Sequence, residues 1–185
     1  MKPIVLALLM NLAASSQAVP ERWAAADKAI KRLPPASFKQ LPRIVVSYLN
    51  RRGCTVPQSF VHHRPHNVIT GEFRRRGETG WAALCSRRGE SAILVFRQGH
   101  AIPWAEIAAA PDEHYLQIIG GGGRIGYSRL IDTVGRRYIL QHYRWYGGPT
   151  PPSLDHHGID NGFAEKASTV LYYSNGKWLE LAGAD

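Results

Sequence analysis

Three runs decide the fold: Val68-Ile69-Thr70-Gly71-Glu72-Phe73, then Trp81-Ala82-Ala83-Leu84-Cys85, then Ala92-Ile93-Leu94-Val95-Phe96. In the first, Ile69, Gly71 and Phe73 fall on alternate positions. In the second, Trp81, Ala83 and Cys85 do the same, which is the period of a strand. The third is apolar at every position, as expected of a strand covered on both faces. Turn residues around Gly77 and Gly89 separate the runs. The stretch therefore predicts a three-stranded meander whose third strand is central.

Outward from this meander the period changes. On the N-terminal side, Trp23, Ala26, Ile30 and Leu33 recur at helical spacing between Pro20 and Leu33, and Pro34-Pro35 ends the run. A second helix is predicted from Pro42 to Arg52, with Ile44, Val45, Tyr48 and Leu49 on one side and Gly53 as its C-terminal cap. On the C-terminal side, strands are expected at His114–Ile119 and Tyr138–Trp145. A long loop is expected over 149–161, with a short helical turn near Ile159–Phe163. Ser168–Tyr173 and Lys177–Leu181 flank Asn175-Gly176, a pair suited to a tight hairpin turn. Helices followed by strands give an α+β class: two N-terminal helices packed on a mostly antiparallel sheet made of the meander and the C-terminal hairpin.

The first 18 residues read as a secretory signal peptide, with Lys2 ahead of the apolar run Ile4 to Ala14 and a small-x-small site at Ser16-Gln17-Ala18. Residues 19–185 are then one globular domain, periplasmic or secreted, with no later run apolar and long enough to cross a membrane. The chain carries a net charge of +9; without Lys2, 22 basic against 14 acidic side chains leave +8. Arginine dominates, in Arg51-Arg52, Arg74-Arg75-Arg76, Arg87-Arg88 and Arg136-Arg137. For an exported protein the matching partners are an envelope polyanion or an acidic protein, and nucleic acid is not expected. Cys54 and Cys85, the only two cysteines, are expected to be joined, because an oxidising compartment favours the bond over a catalytic thiol.

Residues 68–96, through Val68-Ile69-Thr70-Gly71-Glu72-Phe73, Gly77, Trp81-Ala82-Ala83-Leu84 and Ile93-Leu94-Val95-Phe96, resemble a single FG-GAP/VCBS-type β-propeller repeat. The resemblance implies a strand meander. It also implies a calcium loop, but Glu72, Arg74, Arg76 and Gly80 stand at the positions for its oxygen ligands, and the two arginines repel a cation there. The chain also resembles uncharacterised exported bacterial proteins, a likeness that implies no activity.

Gly121-Gly122-Gly123-Arg124-Ile125-Gly126 matches the glycine spacing of dinucleotide-binding turns. No helix pattern follows it and no acid stands about twenty residues on, so a simple turn is expected. His62, His63 and His66 precede the first strand of the meander, and Asp155-His156-His157 with Asp160 lie in the late loop. Imidazole and carboxylate are zinc ligands, so His62, His66, Asp155, His156, His157 and Asp160 form one candidate site, that of a zinc-dependent hydrolase. No nucleophile elbow exposes a serine. The other candidate is a binding face in which Arg74, Arg75, Arg76, Trp145 and Tyr146 meet an anionic envelope component or a partner protein. With no catalytic constellation complete, the leading expectation is a non-enzymatic exported binding or interaction module without a cofactor.

Overall fold

Two four-stranded antiparallel meanders lie face to face, and a helix covers the outer face of each. This arrangement comes from a computed structural model that describes residues 21–184; the signal-peptide reading of residues 1–18 lies outside them. The first sheet runs in the order β3 (Val68–Gly71), β4 (Gly80–Arg87), β5 (Glu90–Arg97), β6 (Ala105–Pro111). The second runs β9 (Arg129–Val134), β10 (Gly158–Phe163), β11 (Ala167–Ser174), β12 (Lys177–Ala182). Two further ribbons complete the strands: β1 (Arg32–Leu33) with β2 (Val56–Pro57), and β7 (Leu116–Ile119) with β8 (Arg124–Tyr127).

Side-chain alternation explains the layering. Ala82 and Leu84 of β4 with Ile93 and Val95 of β5 point between the sheets, against Ile131, Ile159 and Leu171. Their neighbours Ala83, Cys85, Leu94 and Phe96 point the other way, against Val45 and Leu49 of helix α2 (Arg43–Arg52). This double coverage is why residues 92–96 are apolar throughout. Leu49, Ile93 and Leu94 are fully buried, each contributing roughly 1.5–3 kcal/mol of transfer free energy.

Gly53 ends α2 at φ 75°, which reverses the chain and brings Cys54 beside β4. Cys54 and Cys85 are joined as a disulfide, with their Cα atoms 5.1 Å apart. The bond fastens the end of the helix to the sheet it covers.

The expected class, two N-terminal helices on one sheet, is corrected in three places. First, the described residues form four sheets, and strand outweighs helix among them. Helix α1 covers residues 21–28, and Arg32–Leu33 is already strand. Second, the strand expected at Tyr138–Trp145 is helix α3 (Arg136–Tyr146). Its Ile139 and His142 are buried three residues apart, and Ile139 packs on Val170, Tyr172 and Leu181 of the second sheet. The aromatic, β-branched composition favours a strand, but the glycines at 135 and 147 bound a stretch whose buried positions follow the helical period. Third, the helical turn expected at 159–163 belongs to β10. Gly158 and Gly162 occupy the α3-side face there because their backbone lies against β11 and β9: a Cβ on Gly158 would come within 2.8 Å of Val170 Cγ1.

The meander and the terminal hairpin are found where they are expected. Gly77 and Gly89 turn with positive φ, and Asn175 and Gly176 take φ 49° and 84° between β11 and β12. The two sheets meet along β3 and β9, where Thr133 Oγ1 donates to the Thr70 carbonyl at 2.9 Å. Deeper between the sheets lies Arg129, with no solvent exposure. Its guanidinium donates to the Ser91 carbonyl and hydroxyl at 2.9 Å each, to Asn161 Oδ1 at 3.1 Å and to the Ala108 carbonyl, with its carbon 4.5 Å from the Tyr115 ring centroid. Burial lowers its affinity for the proton, and neutral oxygens rather than a carboxylate satisfy it. Among the described residues no helix is long and apolar enough to cross a membrane.

Candidate functional site: a basic cleft beside the glycine-rich hairpin

The segment from Gln58 to Asn67 has no regular structure, yet its backbone is fixed by side chains. Gln58 Oε1 accepts the His66 amide at 3.0 Å, and Gln58 Nε2 donates to the His66 carbonyl at 3.0 Å, the pattern of two paired strands. The Ser59 amide donates to His66 Nε2 at 2.7 Å. That leaves His66 Nδ1 as the protonated nitrogen, 3.0 Å from the Arg64 carbonyl. Burial holds the His66 ring below the ordinary imidazole pKa, and the amide on Nε2 leaves no place for a second proton.

Pinned in this way, the segment forms one wall of a cleft of about 420 Å³. Helix α1 and the residues after it, through Ala26, Ala29, Ile30 and Lys31, form a second wall. The β7–β8 hairpin forms the third. Gly120 to Gly123 make its turn, with Gly120 and Gly123 at positive φ, so the glycine-rich run is a hairpin turn as expected. Arg22 Nη2 donates to the Gly123 carbonyl at 2.8 Å and ties the turn to α1. The Phe60 amide donates to the Tyr127 carbonyl at 2.8 Å, and the Gln58 amide to the Lys31 carbonyl at 2.8 Å, so all three walls are hydrogen-bonded together.

The fixed charges in the cleft lining, Lys31 and Arg124, have one sign. His62 and His63 also line the cleft, and no Asp or Glu does. Neither Lys31 nor Arg124 forms an ion pair among the described residues. Ser59, only 3% exposed, lines the same cleft, and its hydroxyl has no hydrogen-bond partner among the described residues. A buried hydroxyl without a partner costs about 1–3 kcal/mol. A ligand oxygen that reached it from the cleft would recover that cost. A more open depression beside α2 is also basic, but its Arg52 is committed to Glu106 at 2.6 Å.

The residues singled out from sequence lie elsewhere, with one exception. His62 belongs to the cleft, its ring 4.7 Å from that of His66. His66 itself has both ring nitrogens engaged, which removes it as a metal ligand. Asp155, His156 and His157 form a different group. His156 stacks on Tyr172 at 4.4 Å, and His157 Nδ1 accepts the Glu72 amide at 3.0 Å. Asp160 lies under α3, where the Tyr138 hydroxyl donates to it at 3.0 Å. The two histidine clusters do not converge: among the described residues no three His, Cys, Asp or Glu side chains are grouped to hold a metal ion.

Of the arginine run, Arg74 and Arg75 both bind Glu78, at 3.0 and 2.7 Å. Burial would raise the Glu78 pKa, but the two guanidiniums outweigh it and hold it low. Two of the three arginines are therefore partly neutralised within their own loop. Trp145 and Tyr146 are exposed at the end of α3, packed edge-on to each other and around His142. The structure does not bring them together with the arginine run into one site.

Ser59, Lys31, Phe60 and Arg124 are the functional candidates that sequence reasoning passed over. The one signal that pointed to them was the glycine-rich run carrying Arg124. That it folds beside the His62–His63 segment depends on long-range packing. No family model, curated protein or solved structure matches this chain.

Proposed function

We propose that this protein is an exported, non-enzymatic binding module that holds an anionic ligand in the cleft between α1, the Gln58–His63 segment and the β7–β8 hairpin. The observation that carries this reading is the Ser59 hydroxyl, buried without a partner in a cleft whose charged lining is entirely cationic. Hydrogen bonds to a charged acceptor are about twice as strong as neutral ones, so a ligand anion is the partner that this hydroxyl and its cationic neighbours favour. The disulfide and the signal-type N-terminus support export. The supporting geometry is preorganised, because Gln58 and His66 fix the wall before any ligand arrives.

The test uses two charge-matched variants. Retention of the protein on phosphocellulose is compared for Lys31→Glu/Arg124→Glu and for Arg74→Glu/Arg75→Glu, each of which changes the net charge by four. The cleft pair is expected to lower the salt concentration of elution clearly more. Equal shifts would mean that overall charge, and not this cleft, attracts the anion.

A further inference from the structure

We infer that the ligand of this cleft is a small phosphomonoester bearing an apolar group, an inference that rests on the anion-binding reading above. The cleft lining holds two kinds of side chain, and each leads to one part of the ligand. Among its polar residues, Ser59 offers a hydroxyl donor, Lys31 an ammonium and Arg124 a guanidinium. A phosphoryl group, with three terminal oxygens and close to two negative charges, can occupy three such donors at once, whereas a carboxylate has only two oxygens.

Apolar side chains share the lining. Phe60 and Ile119 form one apolar part of it, on the ribbon face that also carries Arg124, while Ile125 and Ile30 belong to the cluster around α1. The shape of the first part is set by Gly126, which has an ordinary φ and therefore no conformational need to be glycine. A Cβ there would lie 2.7 Å from Ile119 Cδ1 and 3.2 Å from Phe60 Cβ. The last glycine of the glycine-rich run thus allows Phe60 and Ile119 to pack against the hairpin backbone as an apolar floor beside Arg124. A hydrophilic ion such as inorganic phosphate would leave that floor in contact with water.

Size supplies the remaining restriction. A cleft of about 420 Å³ lies in the range of small-molecule sites and holds the volume of roughly 14 waters. That accommodates a phosphate with a short chain or ring. Each methylene buried contributes roughly a factor of four in affinity, so three or four in contact with the floor give about 100-fold.

The experiment is calorimetric titration of the protein, purified as the cell exports it, with octyl phosphate below its micelle concentration, inorganic phosphate and octyl glucoside. Octyl phosphate is expected to bind about 100-fold more tightly than inorganic phosphate, and octyl glucoside not measurably. Ser59→Ala should weaken octyl phosphate at least tenfold. Gly126→Ala, which lifts the floor, should remove most of the advantage over inorganic phosphate, with the melting temperature read alongside to show that the chain is folded. Co-sedimentation with phosphatidylcholine vesicles containing phosphatidic acid separates the two sources of this chemistry: capture assigns a membrane phosphomonoester, and titration without capture a free one. Equal binding of octyl phosphate and inorganic phosphate would overturn this inference while leaving the anion site intact. Failure of both anions to bind would overturn the anion-binding reading itself.

Discussion

Asn67 takes the place of a strand beside Ile131: its Oδ1 accepts the Ile131 amide at 2.9 Å. Its Nδ2 donates to the Arg129 carbonyl at 3.1 Å and the Pro57 carbonyl at 2.7 Å. The backbone of Asn67 also accepts from the Leu84 amide at 2.9 Å. One side chain thus joins the edge of the second sheet to the first, from a residue at φ 70° that is 1% exposed. Asparagine tolerates this left-handed conformation better than most residues.

Replacing Asn67 should therefore be costly. Asn67→Ala leaves the Ile131 amide and the Arg129 carbonyl without their partner, removes one of the two donors to the Pro57 carbonyl and adds backbone strain, for an expected loss of about 2–4 kcal/mol. Asn67→Gly relieves the strain but not the lost bonds, so it should be destabilised by less than the alanine variant and still clearly. Urea denaturation of the three proteins decides the matter. A glycine variant as stable as the parent would show that the side-chain clip contributes nothing.

The Cys54–Cys85 bond closes a loop of 31 residues in sequence separation. In the chain-entropy model a loop of this size is worth roughly 3–4 kcal/mol. The double variant Cys54→Ala/Cys85→Ala is expected to lose about that much, and the parent should react with no thiol reagent in denaturant without reductant. An adduct on the parent would refute the bond.

The meander and the terminal hairpin were legible in the sequence because local signals coincide there: alternation in 68–85, a run apolar on both faces at 92–96, and Asn175-Gly176 at a turn. The second sheet was not. Gly158 and Gly162 occupy the α3-side face of β10, so glycine stands where alternation would otherwise show an apolar residue, while Tyr138 to Trp145 carries strand-forming residues on a helix. Packing settled both cases against local preference. The candidate site was less legible still. Its histidines and its glycine run were visible separately, but Ser59 is an ordinary serine until burial removes its partners.

His66 gives the fold a dependence on mild acid. Its Nε2 accepts the Ser59 amide, and burial lowers its pKa. A depressed folded pKa means that the unfolded chain binds the proton first as pH falls. The contribution is present above the ordinary imidazole pKa of about 6.5 and is lost as pH falls through the lower, folded value. The denaturation midpoint of the parent should therefore fall between about pH 8 and about pH 5. His66→Asn should start lower and show a flatter slope over the same interval. Parallel slopes would assign the pH dependence to other groups.

Asp160 carries the opposite sign. It is buried on β10 directly across the ladder from Asp132, and its Oδ1 has no partner among the described residues. Burial raises its pKa first and the Asp132 charge adds to this, while the hydroxyls of Ser168 and Tyr138 work against them. The Tyr138 hydroxyl is itself pushed up to about 12, mainly by burial, so it remains a donor. A carboxyl with a raised folded pKa is one whose native state holds its proton longer than the unfolded chain does. Its contribution is full below the ordinary carboxylate pKa of about 4 and is lost as pH rises through the folded value. Asp160→Asn keeps an oxygen for Tyr138 and removes the charge, so it should melt at a higher temperature than the parent at neutral pH. The difference should shrink as the pH is lowered towards about 4, where the parent carboxyl is protonated as well. Thermal melts of both proteins across this range provide the check. A variant that melts below the parent at neutral pH would mean that the native protein uses the charge of Asp160, and that the carboxylate is compensated after all.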